Sequence, residues 1–276
     1  MQEIYARLYK PSGQPGPDYW FYFADRLTQL ASIQDEAVIL DIGTFDGNVL
    51  FKAMNKVPDL DYAVGIDIDK DGFNAGISEA NNSGRREKVG FVQMDSNALG
   101  FQPETFDNAL ANFLGFDDFY DFEQLEFKNS SKMMKEMIRI LKPGGQVGIG
   151  SWVEQSDIDW IVEEFLNYFP DISASYGTGF SCYSKENPEG QKAILKNCGF
   201  EDIRVYVEKA DFVSPELDTW WHQMERASGE YFLGVPDPEK LDGFKEQVFA
   251  DLEQFRCRQG IRFSKSVSFA FGTKPR

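Results

Sequence analysis

The chain has 276 residues, 28 Lys and Arg against 45 Asp and Glu, and a formal net charge of −17. That length buries a substantial core, which excludes a fibrous or disordered chain, and the negative field repels nucleic acid and the anionic face of a membrane. No run of about 18 apolar residues offers a membrane span and the N-terminus has no apolar leader, so a soluble cytoplasmic protein is expected. Cys182, Cys198 and Cys257 are odd in number and lack paired spacing, which suggests neither a disulfide framework nor a metal site and points to a reducing compartment. Aromatic residues make up 15% of the chain, 25 of them Phe; most are expected in the core, the remainder lining a pocket.

Short β-branched runs alternate with amphipathic stretches over the first 150 residues, the pattern of βα units building a parallel sheet. Strands are predicted at Ala37 to Ile42, Tyr62 to Asp67, Val89 to Met94, Asp107 to Phe113 and Gln146 to Ser151. Met134, Met137, Ile138 and Leu141 recur with helical spacing, and Pro143-Gly144-Gly145 stops that helix ahead of the next strand. After Ser151 longer helical stretches dominate, with strands near Ile203 to Val207 and Ser266 to Gly272. About 50 residues between those strands exceed an ordinary connection. Ser214-Pro215 and Asp237-Pro238 each pair an N-cap residue with a first-turn proline, and Leu241, Phe244, Val248, Leu252 and Phe255 trace one apolar face. The segment 212–262 is therefore expected to be a helical cap.

The segment VILDIGTFDGNVL, Val38 to Leu50, runs a buried strand through a glycine-bearing turn into a helix, the usual ligand position of an open α/β sheet. Gly43 and Gly47 permit the tight turn and close backbone approach, Asp46 is expected to cap the following helix, and a side chain at Gly47 is expected to intrude on a ligand. Asp67 ends the next strand 20 positions after Gly47, where an acidic residue accepts hydrogen bonds from ribose hydroxyls. Asp69 is expected on the surface as a first-turn acid of the next helix. Phe45 and Asn48 replace the second and third glycines of a dinucleotide fingerprint, and no Walker loop follows the strand, so phosphate is a poor guest. S-adenosylmethionine carries ribose and adenine without phosphate, and its positive sulfonium suits the acidic rim of Asp41, Asp46 and Asp67.

VILDIGTFDG resembles motif I of the class I S-adenosylmethionine-dependent methyltransferases, (V/I)LD(I/L)G-x-G-x-G. Phe45 stands at the middle glycine, as non-glycine residues do in the catechol and caffeoyl-CoA O-methyltransferase branches. GFVQMDSNALGFQPETFDNALANF and MMKEMIRILKPGG are similar to two further family stretches in the same order, so the resemblance covers Val38 to Ser151. It implies a Rossmann-like α/β fold with a seven-stranded, mostly parallel sheet of order 3-2-1-4-5-7-6, the last strand antiparallel. It also implies S-adenosylmethionine as cofactor, held by Asp41, Gly43, Phe45, Gly47, Asp67, Ile68, Asp95, Ser96 and Asn112, with Asp95 and Ser96 beside the adenine. Asn112 and Phe113 would floor the site beside the transferable methyl group.

A single methyltransferase domain, 1–276, is expected, with a lid segment at 1–35, a cofactor core at 36–151 and the cap at 212–262. The acceptor is expected to be a small molecule met by Tyr19, Tyr22, Phe113, Phe116, Trp221 and His222. His222 is the candidate general base, needed only where the nucleophile must lose a proton. Aromatic rings mixed with carboxylates suit either a flat apolar acceptor or an amine. A catalytically silent S-adenosylmethionine-binding regulatory or assembly protein is the alternative. Nucleic-acid methylation is opposed by the charge and by Asn112-Phe113-Leu114-Gly115 standing where an N/D-P-P-Y/F motif would be.

Overall fold

The computed structural model describes residues 4–5, 19–128, 131–172, 186–227 and 237–276. Residues 1–3 and 6–18 of the expected lid, Cys182 and the part of the cap between 227 and 237 lie outside the described residues. The elements run β1 (Ile4–Tyr5), α1 (Tyr19–Leu30), β2 (Val38–Ile42), α2 (Asn48–Lys56), β3 (Tyr62–Asp67), α3 (Phe73–Asn82), β4 (Val89–Gln93), β5 (Phe106–Asn112), β6 (Tyr120–Asp121), β7 (Glu126–Phe127) and α4 (Lys132–Ile140). They continue with β8 (Leu141–Gln155), α5 (Ser156–Tyr168), α6 (Pro188–Asn197), β9 (Glu201–Ser214), α7 (Leu217–Ala227), α8 (Pro238–Asp251), β10 (Arg256–Cys257) and β11 (Gly260–Thr273).

The main sheet has the order β1-β9-β11-β8-β5-β2-β3-β4, with β10 paired to β11, while β6 and β7 form a separate hairpin. Counted from β2 as the first strand and without β1, this is 3-2-1-4-5-7-6, the expected Rossmann-like order. β2, β3, β4, β5 and β8 pair in parallel, Leu40 lying between Val64 and Ala109. β2 and β5 are buried at consecutive rather than alternate positions because both faces of a parallel sheet are covered. The last two predicted strands are longer than expected, and β1, pairing in parallel with β9 at the edge, was not legible.

The chain divides into two compact units. One comprises Trp20–Ser151, Glu186–Glu208 and Val267–Arg276. Its core gathers Leu40, Ile42, Ile66, Ala109 and Ile149 from the strands with Met133, Met134, Met137 and Ile140 of α4. Ser131 caps α4 by accepting from the Met134 amide at 3.1 Å. The helix ends at Ile140, so Leu141 is its extended C-cap rather than the last residue of the expected stripe. The Pro-Gly-Gly that follows shifts the pairing of β8 on β5 between Phe106 and Asn108.

The other unit takes in Trp152–Lys185 and Lys209–Ser266 together with Tyr19, so the helical region is larger than the 212–262 insert and recruits α5. Ile161 and Phe165 of α5, Trp220, Trp221 and Met224 of α7, and Phe244 and Val248 of α8 form one apolar cluster. α8 starts as expected, Asp237 accepting from the Glu239 amide with Pro238 in the first turn. In the same unit Lys265 is buried, its ammonium 2.6 Å from Asp157 Oδ1 and 3.1 Å from Gln155 Oε1. The rings of Tyr19 and Trp152 lie against that ammonium, at 4.4 and 5.7 Å.

Candidate cofactor site

The site lies within the first unit, where the carboxyl ends of β2, β3, β4 and β5 meet the loops that follow them. The turn after β2 is pinned to β3, the Gly43 and Thr44 amides both donating to the Ile66 carbonyl at 2.9 Å. Three of its residues have left-handed backbone, Gly43 at φ 74°, Phe45 at 46° and Gly47 at 87°. Glycine adopts this region freely, whereas a bulky residue does so only where its surroundings hold it. Asp67 supplies part of that hold, its Oδ2 accepting from the Phe45 amide and its Oδ1 from the Asp69 amide, both at 3.0 Å. Each carboxylate oxygen keeps a further lone pair for a hydroxyl. The Met94 amide donates to the Asp67 carbonyl at 2.8 Å, tying the end of β4 to the same corner.

Asp41, the last but one residue of β2, is 1% exposed, and neither of its carboxyl oxygens has a hydrogen-bond partner among the described residues. Burial pushes its pKa up to about 8; the nearby Thr44 hydroxyl, outside hydrogen-bond geometry, offsets part of the rise and the carboxylates of Asp46 and Asp67 add to it. Asp46 is also raised, by burial, against the stabilising Asn48 amide. It does not cap α2 as expected: the N-cap position is Gly47 and no side chain closes the cap. Asp69 likewise precedes α3 instead of sitting in its first turn; its carboxylate accepts from the Asp71 amide at 3.0 Å.

Around this acidic centre the sequence-predicted residues fall as follows. Phe45 and Ile68 are exposed apolar side chains, at 56% and 73%, flanking Asp67. Asp95 is exposed and organises its own turn, accepting from the Asn97 amide at 2.8 Å, with Ser96 half-buried beside it. Asn112 ends β5 with its Oδ1 buried and without a hydrogen-bond partner among the described residues, and Phe113 has left-handed backbone at φ 60° with its amide on the Gly150 carbonyl at 2.7 Å. Trp20 and Phe23 of α1 meet Phe113 edge-on at 5.2 and 6.2 Å. Tyr22 instead hydrogen-bonds Glu208, which also pairs with Arg26 at 2.8 Å.

The rest of the expected acceptor set is dispersed. Phe116 is fully buried, its amide donating to Glu186. Tyr19, Trp221 and His222 belong to the other unit. There Tyr19 packs against Trp152 and Phe212. Trp221 is a core ring, 2% exposed, donating its Nε1–H to Glu225 at 2.7 Å. His222 has a side chain 55% exposed, its Nδ1 2.9 Å from Glu225 Oε2. Gly47 also differs in reason from the expectation, because a Cβ there would meet the Phe91 ring at 2.9 Å and the Phe51 ring at 3.0 Å. The glycine makes room for packed aromatics, so an added side chain would strike them first. Sequence reasoning missed Thr44, whose hydroxyl faces the buried Asp41, and Gly72 and Gly76, whose four-residue spacing was the available signal.

S-adenosylmethionine suits these residues. A buried carboxyl with no hydrogen-bond partner among the described residues, beside two further acidic side chains, gains its charge most readily against a cationic ligand, and the exposed apolar side chains beside Asp67 offer a surface for a flat base.

Residues 33–204 match a family model described as a methyltransferase domain. No curated protein matches the sequence. Among solved structures, the YcgJ protein from Bacillus subtilis is 18% identical with a TM-score of 0.56, covering 92% of this chain and 99% of its own. Phosphoethanolamine N-methyltransferase 2 of Haemonchus contortus, in complex with phosphomonomethylethanolamine and S-adenosylhomocysteine, is 18% identical with a TM-score of 0.51 over 94% of this chain and 53% of its own. The [4+2]-cyclase SpnF is 16% identical with a TM-score of 0.51 over 92% of this chain and 81% of its own.

Proposed function

This chain belongs to the methyltransferase-domain family and is an S-adenosylmethionine-dependent methyltransferase, and from that premise we propose that its acceptor is a small molecule and that it works in the cytoplasm. The observation that carries the reading is the cluster of Asp41, Asp46 and Asp67 at the carboxyl ends of the strands, an acidic centre for a cationic cofactor in a chain whose net charge of −17 repels nucleic acid. The cofactor supplies an electrophilic methyl group on a sulfonium.

The protein's task in such a displacement is to align two reactants and exclude water. Asp67 holds the ribose hydroxyls with the lone pairs left over from the Phe45 and Asp69 amides. Ile68 and Phe45 offer apolar contact to the base, and Asp95 and Ser96 its polar edge. The backbone of Gly43 to Gly47 carries the methionine portion, with Asn112 Oδ1 accepting a hydrogen bond from the amino group or from the acceptor. Trp20 and Phe113 supply an aromatic corner for the acceptor. Incubation with methyl-labelled S-adenosylmethionine and a fractionated cell extract tests the reading. Label in the small-molecule fraction together with S-adenosylhomocysteine is expected; label confined to RNA, DNA or protein refutes it.

A further inference from the structure

Behind the turn that follows β2 stands the amino end of α3, and the two backbones approach without side chains between them. A Cβ on Gly72, the N-cap of α3, would lie 2.5 Å from the Phe45 carbonyl carbon, 2.6 Å from its oxygen and 2.8 Å from the Asp46 nitrogen. One helical turn on, a Cβ on Gly76 would lie 2.7 Å from the Asp46 oxygen and would also strike the Phe91 ring. Phe91 fills the notch that Gly47 and Gly76 leave and packs on Phe73 at 5.5 Å between centroids. Phe45 is thus held on two sides, its amide by Asp67 Oδ2 and its carbonyl by the bare Cα of Gly72. A phenylalanine at φ 46° persists only where its surroundings over-determine it.

We propose that Gly72 and Gly76 are positioning residues for the cofactor: by admitting α3 into backbone contact they mould Phe45 and Asp46 into the ligand-binding conformation, although neither touches the ligand. This rests on the assignment of the 43–47 turn to S-adenosylmethionine. Gly72 has φ −76° and ψ −19°, a backbone open to any residue. A methyl group there is therefore opposed by the turn it meets and not by its own conformation. Something must shift, and the contacted atoms are main chain, so the turn moves.

The test is calorimetry of the full chain with S-adenosylhomocysteine, beside thermal melting and amide hydrogen exchange of the ligand-free protein. Gly100→Ala is the control, its Cβ meeting only Met94 Cε at 3.5 Å. Gly72→Ala is expected to raise the Kd at least about tenfold, to keep its melting temperature within about 5 °C of wild type, and to exchange faster at the Phe45 and Gly47 amides. Gly100→Ala is expected to match wild type in all three. An unchanged Kd for Gly72→Ala, with or without a lower melting temperature, overturns the proposal, as does failure of that variant to fold, since the contact would then serve the fold alone. Absence of binding by the wild-type protein overturns the cofactor assignment itself, and that arm is read independently of the variants.

Discussion

Replacing Asp41 by asparagine isolates the cost of holding a carboxyl in the acidic centre. In the unfolded chain Asp41 ionises near its ordinary value of 3.8, whereas burial and the neighbouring Asp46 and Asp67 raise it to about 8 in the fold. Between those values the unfolded state releases a proton that the folded state keeps. The group's stability is therefore fully present below pH 3.8 and is lost as pH rises toward about 8. Each pH step in that window removes about 1.4 kcal/mol, so the deficit is about 2 kcal/mol at pH 5.5, about 4 at pH 7 and about 5 at pH 8. Asparagine cannot ionise but still buries an amide, at about 1 to 3 kcal/mol. The informative quantity is thus the pH dependence of the difference between the two proteins, in which every other titration common to both cancels. Urea unfolding at pH 5.5 and at pH 8 is expected to show Asp41→Asn gaining about 3 kcal/mol on wild type between the two pH values. Calorimetry supplies the functional side: S-adenosylmethionine is expected to bind wild type more tightly as pH rises through the same window, with proton release, and Asp41→Asn more weakly with little pH dependence. A stability difference that changes by less than about 1 kcal/mol between pH 5.5 and 8 would refute the reasoning, because Asp41 would then be ionised in the fold at both.

Asp67→Ala removes the acceptor of the Phe45 amide that is proposed also to hold the ribose hydroxyls, and is expected to weaken S-adenosylmethionine binding by about 1.5 to 3 kcal/mol in calorimetry; equal affinity would count against the site. Gly47→Val is expected to lower the melting temperature as well as affinity, since its side chain meets Phe91 and Phe51 and its φ is 87°, and an unchanged melting temperature would contradict that packing. Lys265→Met leaves the Asp157 carboxylate buried without its ammonium and is expected to cost about 3 to 5 kcal/mol in denaturant unfolding, more than Lys265→Met combined with Asp157→Leu. His222→Ala tests the base expected from the sequence: slower turnover of whichever acceptor the labelled extract reveals, with cofactor affinity within about threefold, or roughly 0.65 kcal/mol, would support that role, and unchanged turnover would remove His222 from the chemistry.

The strand-turn-helix at Val38 to Leu50, the acid ending β3 and the helix end at Lys142 to Gly145 are local patterns, set by hydrophobic periodicity and by what glycine and proline permit, and they are legible along the chain. So are the N-cap at Asp237 and the apolar face of α8, because capping and amphipathicity act between residues a few positions apart. The sequence by itself thus determined the fold class and the cofactor, and it singled out the corner of the sheet proposed to receive that cofactor. What depends on residues distant in the chain was decided only by the tertiary structure. Trp221, expected to face the acceptor, is a packed core ring because α5, α7 and α8 converge on one cluster. Gly47, expected to clear space for a ligand, clears it for Phe91 from β4. Asp41 becomes an abnormally basic carboxyl because the parallel neighbours β3 and β5 bury it, and Gly72 acquires its contact with Phe45 because α3 folds back over the turn. In each case the residue type was visible, but its role follows from atoms brought within a few ångströms by the sheet order, which no periodicity along the chain records.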